Sequence, residues 1–214
     1  MRVVIAGGHG RIALLLEQCL AGGGDEAVGI VRNPAHAADL AAAGATAVVA
    51  DLETSRLDEV AETVAGADAV VFAAGAGPGS GASRKLTVDR DAAILLADAA
   101  AAVGVRRYLM VSAMRADEAD PDSDDVFQIY LRAKAAADAD LRGRDLDWTI
   151  VRPGRLTDDP GTGRVRLADH VPYGEVPRAD VAAVLAGALT QPATIRRQFD
   201  VVSGDTPVES ALRL

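Results

Sequence analysis

Short runs of valine, isoleucine and alanine recur along this chain, and most are followed by an alanine-rich stretch with helical spacing. Strands are expected near 2–6, 27–31, 46–50, 68–73, 106–111, 147–151 and 198–202, with helices near 10–22, 34–43, 55–65, 84–103, 126–142 and 178–191. The strands are apolar on both faces instead of alternating, which is the pattern of strands covered on each side by crossover helices. This regularity constrains the fold to α/β, a doubly wound parallel β-sheet with helices on both faces. The 214 residues suit one domain with its own core, and no repeat or break in composition divides them, so a single unit over 1–214 is expected. With 44 alanines and only 3% aromatic residues, that core must be built from thin helices packed closely on the strands.

The charge balance removes whole classes of partner. A net charge of -9 with no basic stretch offers no counterion-releasing surface, so nucleic acid is excluded as a ligand. No apolar run approaches the roughly 20 residues that cross a bilayer. Met1-Arg2 leads straight into the first strand, so neither a membrane span nor a signal peptide is expected. Cys19, the single cysteine, stands among Leu14, Leu15, Leu16 and Leu20 and is expected to be a small buried thiol. A soluble cytoplasmic protein, monomer or homodimer, acting on a small molecule is the expectation.

Two segments interrupt the alternation. Gly75–Gly81 is glycine-rich but lacks the Gly-Lys-Ser/Thr ending of a triphosphate loop, and is taken as a flexible turn. The acidic stretch Ala116–Asp125 begins like a calcium loop, then places Asp125 where glycine is needed and Leu131 where a bidentate glutamate belongs. No metal site is expected there; its aspartates help to cap the next helix.

The first strand runs into Gly7-Gly8-His9-Gly10-Arg11-Ile12-Ala13. Small residues at this spacing permit a tight turn, backbone approach to a pyrophosphate and close packing of helix on strand. The alternative is a glycine turn without a ligand, but the position between a strand and a helix supports a dinucleotide. Cofactor choice is then written at the end of the second strand, Val31-Arg32-Asn33-Pro34. Arg32 matches the 2′-phosphate of NADP in preference to NAD, or else is a surface arginine stacked on adenine. Asp51 and Leu52, after the third strand, either flank the adenine or cap the following helix.

Twenty of the 22 basic residues are arginine, and only Lys85 and Lys134 are lysine. Lys134 lies four residues after Tyr130, so the two share a helix face. A phenol with an ordinary pKa of about 10 is a poor acid–base catalyst near neutrality, and a cation one turn away favours its ionised form. Ser112 closes the fifth strand, where the carboxyl ends of strands line the ligand crevice. Plain packing accounts exist for all three: a small residue ending a strand, a tyrosine packed on the sheet and a lysine reaching solvent.

These residues carry a resemblance to the short-chain dehydrogenase/reductase superfamily, in its atypical, single-domain NAD(P)-binding branch. The likeness runs nearly end to end and includes Ala73-Ala74-Gly75, Val88-Asp89, Val111-Ser112-Ala113, Asp147 to Gly154, Val176 to Val181 and Phe199 to Gly204. It implies a Rossmann-type sheet binding NADP, with Tyr130 as proton donor, Lys134 bonding ribose and tyrosine, and Ser112 orienting substrate. It also implies that Arg152-Pro153-Gly154 is the turn passing the nicotinamide, and that Asp89 stands where other members carry an asparagine. About sixty residues follow Arg152, enough for a small lid near 155–177 but not for a sugar-nucleotide lobe. The resemblance implies an NADP-dependent oxidoreductase acting on a small carbonyl, quinone or flavin-like compound. The alternatives are a non-catalytic NADP sensor and a small-substrate epimerase or dehydratase.

Overall fold

The computed structural model describes residues 1–77 and 79–213; Pro78, inside the glycine-rich segment, lies outside the described residues. Its strands are β1 (Arg2–Ala6), β2 (Glu26–Val31), β3 (Ala45–Val49), β4 (Ala69–Phe72), β5 (Arg107–Val111), β6 (Asp147–Pro153), β7 (Arg155–Thr157), β8 (Arg164–Ala168), β9 (Glu175–Pro177), β10 (Arg197–Ser203) and β11 (Thr206–Pro207). The α-helices are α1 (Arg11–Gly22), α2 (Ala37–Ala42), α3 (Leu57–Val64), α4 (Gly81–Arg84), α5 (Ala92–Ala102), α6 (Val126–Arg142), α7 (Arg178–Thr190) and α8 (Val208–Ala211).

Nine strands form one sheet in the order β11-β8-β10-β6-β5-β4-β1-β2-β3. From β10 to β3 every pairing is parallel, while β8 joins the edge antiparallel, with Asp200 opposite Ala168. Alternate residues of one strand enter different cores: Val3 and Ile5 pack with α1 and α7, while Val4 and Ala6 lie in the layer of α3, α5 and α6. That is why the strands lack polar alternation. The chain winds outward from β1 through β2 and β3, then restarts at β4 on the other side of β1. The strand order therefore reverses between β1 and β4, and this opens a crevice at their carboxyl ends.

The sequence-derived elements hold, with local differences. The helix near 34–43 begins as a 3-10 turn, Pro34–His36, capped by the Asn33 side chain accepting from the Ala35 amide at 3.0 Å. The helix near 84–103 starts earlier, as α4, and passes through a π-helical segment, Lys85–Asp91, before α5. Strands β7, β8, β9 and β11 fall where none was expected, and β7 pairs with β9 in a separate two-stranded sheet.

One expectation fails in α1. Its buried stripe is Ile12, Ala13, Leu16, Glu17 and Leu20, so Cys19 falls off that face and is exposed. The four-residue steps from Ile12 to Leu16 to Leu20 and from Ala13 to Glu17 set the helix phase, and the neighbouring leucines do not. Glu17 is consequently buried, against the place where the turn before α1 crosses β2. A Cβ on Gly8 would lie 2.7 Å from the Gly29 Cα, and one on Gly29 only 2.7 Å from the Glu17 Oε1. Among the described residues no helix is long and apolar enough to cross a membrane.

Candidate functional site

The crevice is headed by the glycine turn. Gly7 has φ +80, and a Cβ there would lie 2.6 Å from the Ala74 Cα, so the position requires glycine. The Gly10 amide closes the turn by donating to the Gly7 carbonyl at 2.7 Å. Gly10 caps α1 without a side-chain acceptor, and no acidic residue occupies the first helical turn. A backbone cradle followed by an uncapped helix N-terminus is the arrangement that accepts a pyrophosphate.

Two cavities open from this point and share Ala73, Ala74 and Gly75 at the end of β4. The first, of about 510 Å³, is lined by Gly7, His9, Gly10, Arg32, Asp51 and Leu52 among others. Its polar wall is organised by Glu53, which sequence reasoning missed. The Glu53 carboxylate accepts from Arg84 Nη2 at 2.6 Å, from Thr87 Oγ1 at 2.6 Å and from Arg32 Nη1 at 3.1 Å. The Arg84 hydrogen bond foremost, and the Thr87 hydroxyl with it, holds this carboxyl below the usual range despite its partial burial. Arg84, also missed, places a second guanidinium beside Arg32 in the cavity wall. The rings of His9 and His36 stack with centroids 3.6 Å apart, and His9 Nε2 reaches Asp39 Oδ2 at 2.8 Å. Asp51 serves its own turn as well, accepting from the Glu53 amide at 3.1 Å, while α3 starts only at Leu57.

The second cavity, of about 650 Å³, is lined by Ile12, Ser112, Tyr130 and Lys134 with Lys85, Asp89 and Leu156. Asp125 fixes the start of α6 by accepting from the Phe127 and Gln128 amides at 2.9 and 3.1 Å. Tyr130 and Lys134 then follow on one face of that helix. Lys134 is buried, with Nζ 3.3 Å from Asp89 Oδ1 and hydrogen-bonded to the carbonyls of Val111 at 3.2 Å and Ala74 at 3.4 Å. The side chain does not reach for solvent; it braces the ends of β4 and β5 across the crevice.

Burial, the largest influence on Tyr130, pushes its phenol above the ordinary value. The Lys134 ammonium opposes this and the carboxylates of Asp89 and Asp138 reinforce it. The expected net lowering by Lys134 is thus outweighed by burial, with the Asp89 and Asp138 carboxylates adding to it.

Ser112 is buried, and its hydroxyl donates to Asp138 Oδ2 at 2.7 Å. Arg152 Nη2 and Nε donate to the same oxygen at 2.7 and 2.9 Å, and Nη1 continues to Asp117 Oδ2 at 2.5 Å. Burial raises the Asp138 carboxyl, with Arg152 and the Ser112 hydrogen bond pulling the other way. A serine whose hydrogen is committed to a carboxylate presents acceptor lone pairs to the cavity.

Three predicted positions stand apart from the cavity walls. Gly8 is used for the contact with Gly29, the exposed Arg11 pairs with Asp158, and Pro153 lies in β6. Arg152, expected in a turn past the nicotinamide, is instead the buried hub between Asp138 and Asp117 at the end of β6.

A family described as NAD(P)H-binding matches residues 7–192. The chain is 38% identical over 214 residues to the uncharacterised sugar epimerase YhfK of Bacillus subtilis, covering 100% of this chain and 99% of that one. A Bacillus halodurans structure assigned provisionally to the NAD-dependent epimerase/dehydratases superposes with TM-score 0.92 at 37% identity, over 99% of this chain and 98% of its own. The oxidoreductase ylbE of Lactococcus lactis superposes with TM-score 0.84 at 25% identity, over 99% and 95% of the two chains.

Proposed function

This chain belongs to the NAD(P)H-binding family, whose relatives are oxidoreductases or epimerase-like proteins, and on that premise we propose that it is an NADPH-dependent reductase of small carbonyl, quinone or flavin-like compounds. The observation that carries the reading is the second cavity, where a tyrosine, a buried lysine–aspartate pair and a serine meet beside the glycine turn.

In this reading the first cavity would hold the adenosine half, the Gly7–Gly10 turn the pyrophosphate, and Ala73 and Gly75 the nicotinamide end. When bound, the cofactor supplies the hydride for carbonyl reduction. Tyr130 Oη, protonated at neutral pH, delivers the proton to the developing alkoxide, and the Lys134 ammonium opposes the burial that weakens it as an acid. Lys134 stabilises the phenolate left behind and is held in position by Asp89. Ser112, with its hydrogen on Asp138, accepts from a substrate or tyrosine hydroxyl and so orients it. Arg32 and Arg84 together support NADP over NAD, since a 2′-phosphate adds a dianion that meets two guanidinia held by one carboxylate. Of the segment 155–177, Leu156 lies in the wall of this cavity.

The test is NADPH oxidation against quinones, aldehydes and flavins, with Tyr130→Phe alongside. Turnover that falls by at least a hundredfold in the variant, with NADPH affinity within threefold, is the expected outcome. Equal turnover in the two proteins removes Tyr130 from the chemistry. Tight NADPH binding with no turnover of any acceptor replaces the reductase by a cofactor sensor.

A further inference from the structure

Lys85, the other lysine, also lies at the second cavity. It opens the π-helical segment, is nine-tenths buried, and its Nζ donates to the Gly77 carbonyl at 2.7 Å. The ammonium stands 5.3 Å from the centroid of the Tyr130 ring. An ammonium carries three donors. Among the described residues it has this one hydrogen bond, and no carboxylate lies within 4.0 Å of it.

The remaining charges around the cavity are accounted for. Lys134 is paired with Asp89, and Asp125 is exposed at the rim with its carboxylate engaged by the first amides of α6. Lys85 is therefore the one cation in this wall without an anionic partner among the described residues. Apart from the Ser112 hydroxyl, whose hydrogen goes to Asp138, and the glycine backbone, the rest of the wall is apolar or aromatic. Ile12, Val111 and Leu156 line it, and Phe127, 59% exposed, stands at the mouth with its ring 5.9 Å from that of Tyr130. A buried ammonium with one hydrogen bond and no counter-ion costs free energy that a ligand anion would offset.

We propose that Lys85 is a substrate-binding residue, and that the compound taken by this cavity is a flat conjugated molecule carrying a carboxylate or comparable anion that pairs with the Lys85 ammonium. The inference rests on the reading of this cavity as the substrate end, but not on any turnover there. Gly77, which Lys85 contacts, and Gly79 also line the cavity, with φ +75 at each and no atom within 4 Å of where a Cβ would stand.

The test uses two non-reducible probes of one shape, naphthalene-2-carboxylate and its neutral amide, titrated calorimetrically into the full chain with and without saturating NADP. The carboxylate is expected to bind at least tenfold more tightly than the amide. In Lys85→Gln that ratio should fall to about one, and in Lys85→Arg, which keeps the cation, it should stay above threefold. A ratio near one in the unsubstituted protein, a ratio unchanged in Lys85→Gln, or no binding of either probe at millimolar concentration overturns the proposal. A parallel loss of both probes in Lys85→Gln also overturns it, because that is the signature of a lysine that only props the glycine segment. A parallel assay of NADPH oxidation keeps the two readings separable: absence of turnover with any acceptor defeats the reductase, and the probe ratio still decides the role of Lys85.

Discussion

Replacing Glu17 by glutamine should make the protein more stable, and increasingly so as pH rises. Both carboxylate oxygens of Glu17 are buried without a hydrogen-bond partner, and burial alone pushes the group from 4.5 to about 8. Below pH 4.5 the folded and unfolded chains are both protonated at this site, and it has no effect on stability. Between 4.5 and 8 the folded state holds a proton that the unfolded chain has lost, so stability falls as pH rises, by up to about 1.4 kcal/mol per unit. Above 8 the full deficit is present. The ceiling over that window is about 5 kcal/mol, and relaxation and water entry around the carboxylate reduce it to an expected value of about 2–3 kcal/mol.

The assay is a pair of thermal melts, Glu17→Gln against the unsubstituted protein, at half-unit steps from pH 5 to 8.5. For a chain of this size about 1 kcal/mol corresponds to roughly 2–4 °C in Tm. The gap between the two proteins should therefore widen across the series by about 4–12 °C in favour of glutamine. Every other titrating group is common to both proteins and cancels in the difference. The glutamine amide brings its own unsatisfied donors, which offset the two curves by a constant and leave the slope untouched. A gap that stays flat with pH would show that Glu17 is ionised or hydrated in the folded protein and refute the reasoning.

Three further outcomes follow from the site. Arg32→Ala should weaken NADPH at least tenfold more than NADH in fluorescence titrations; a uniform loss removes the phosphate assignment. Gly7→Ala forces a side chain into the left-handed region against the Ala74 backbone, so it should cost about 1–2 kcal/mol of stability and weaken NADPH by at least tenfold. Unchanged NADPH affinity there would separate the turn from the cofactor. Asp138→Asn takes the buried counter-charge from Arg152 while keeping an acceptor for Ser112, and should lower stability by about 1–3 kcal/mol in a denaturant titration. A midpoint equal to that of the unsubstituted protein would show that Asp117 alone satisfies the arginine.

The parts of this molecule legible in the sequence are those set by local period. Strands buried on both faces, the Gly7–Gly10 turn and the i, i+4 pairing of Tyr130 with Lys134 need only neighbours along the chain. The partners of those residues are long-range and were not readable: Asp89 reaches Lys134 across 45 positions, and Glu53 gathers Arg32, Arg84 and Thr87 from two other segments. Strand β8 is a different kind of miss. Arg164-Val165-Arg166-Leu167 alternates polar and apolar, as an antiparallel strand with one buried face does, and Val165 is fully buried while both arginines are exposed. The signal was present at period two, in a stretch where only a lid was expected. Glu17 and Cys19 show the limit of composition: two residues apart on a helix point about 200° from each other, so leucine-rich neighbours did not decide which one faced the sheet.

The π-helical segment explains how one element serves both halves of the crevice. Arg84, Val88 and Ala92 line the first cavity, while Lys85 and Asp89 line the second, each set at steps of four residues. In a regular α-helix a step of four advances about 40°, so the row from Arg84 to Ala92 would fan across about 80° and turn away from the crevice. A π turn is wider, closing its hydrogen bonds from i to i+5, and drifts the opposite way. With the π segment Lys85–Asp91 set between α4 and α5, Arg84, Val88 and Ala92 stay on the first cavity and Lys85 and Asp89 on the second. Two cations adjacent in the chain are thereby divided: the Arg84 guanidinium goes to the Glu53 cluster, and the Lys85 ammonium to the apolar slot beside Tyr130. An arginine suits the first place, where a carboxylate is gripped by a fork of donors, and a lysine the second, where a point charge on a flexible stem waits for a single anion.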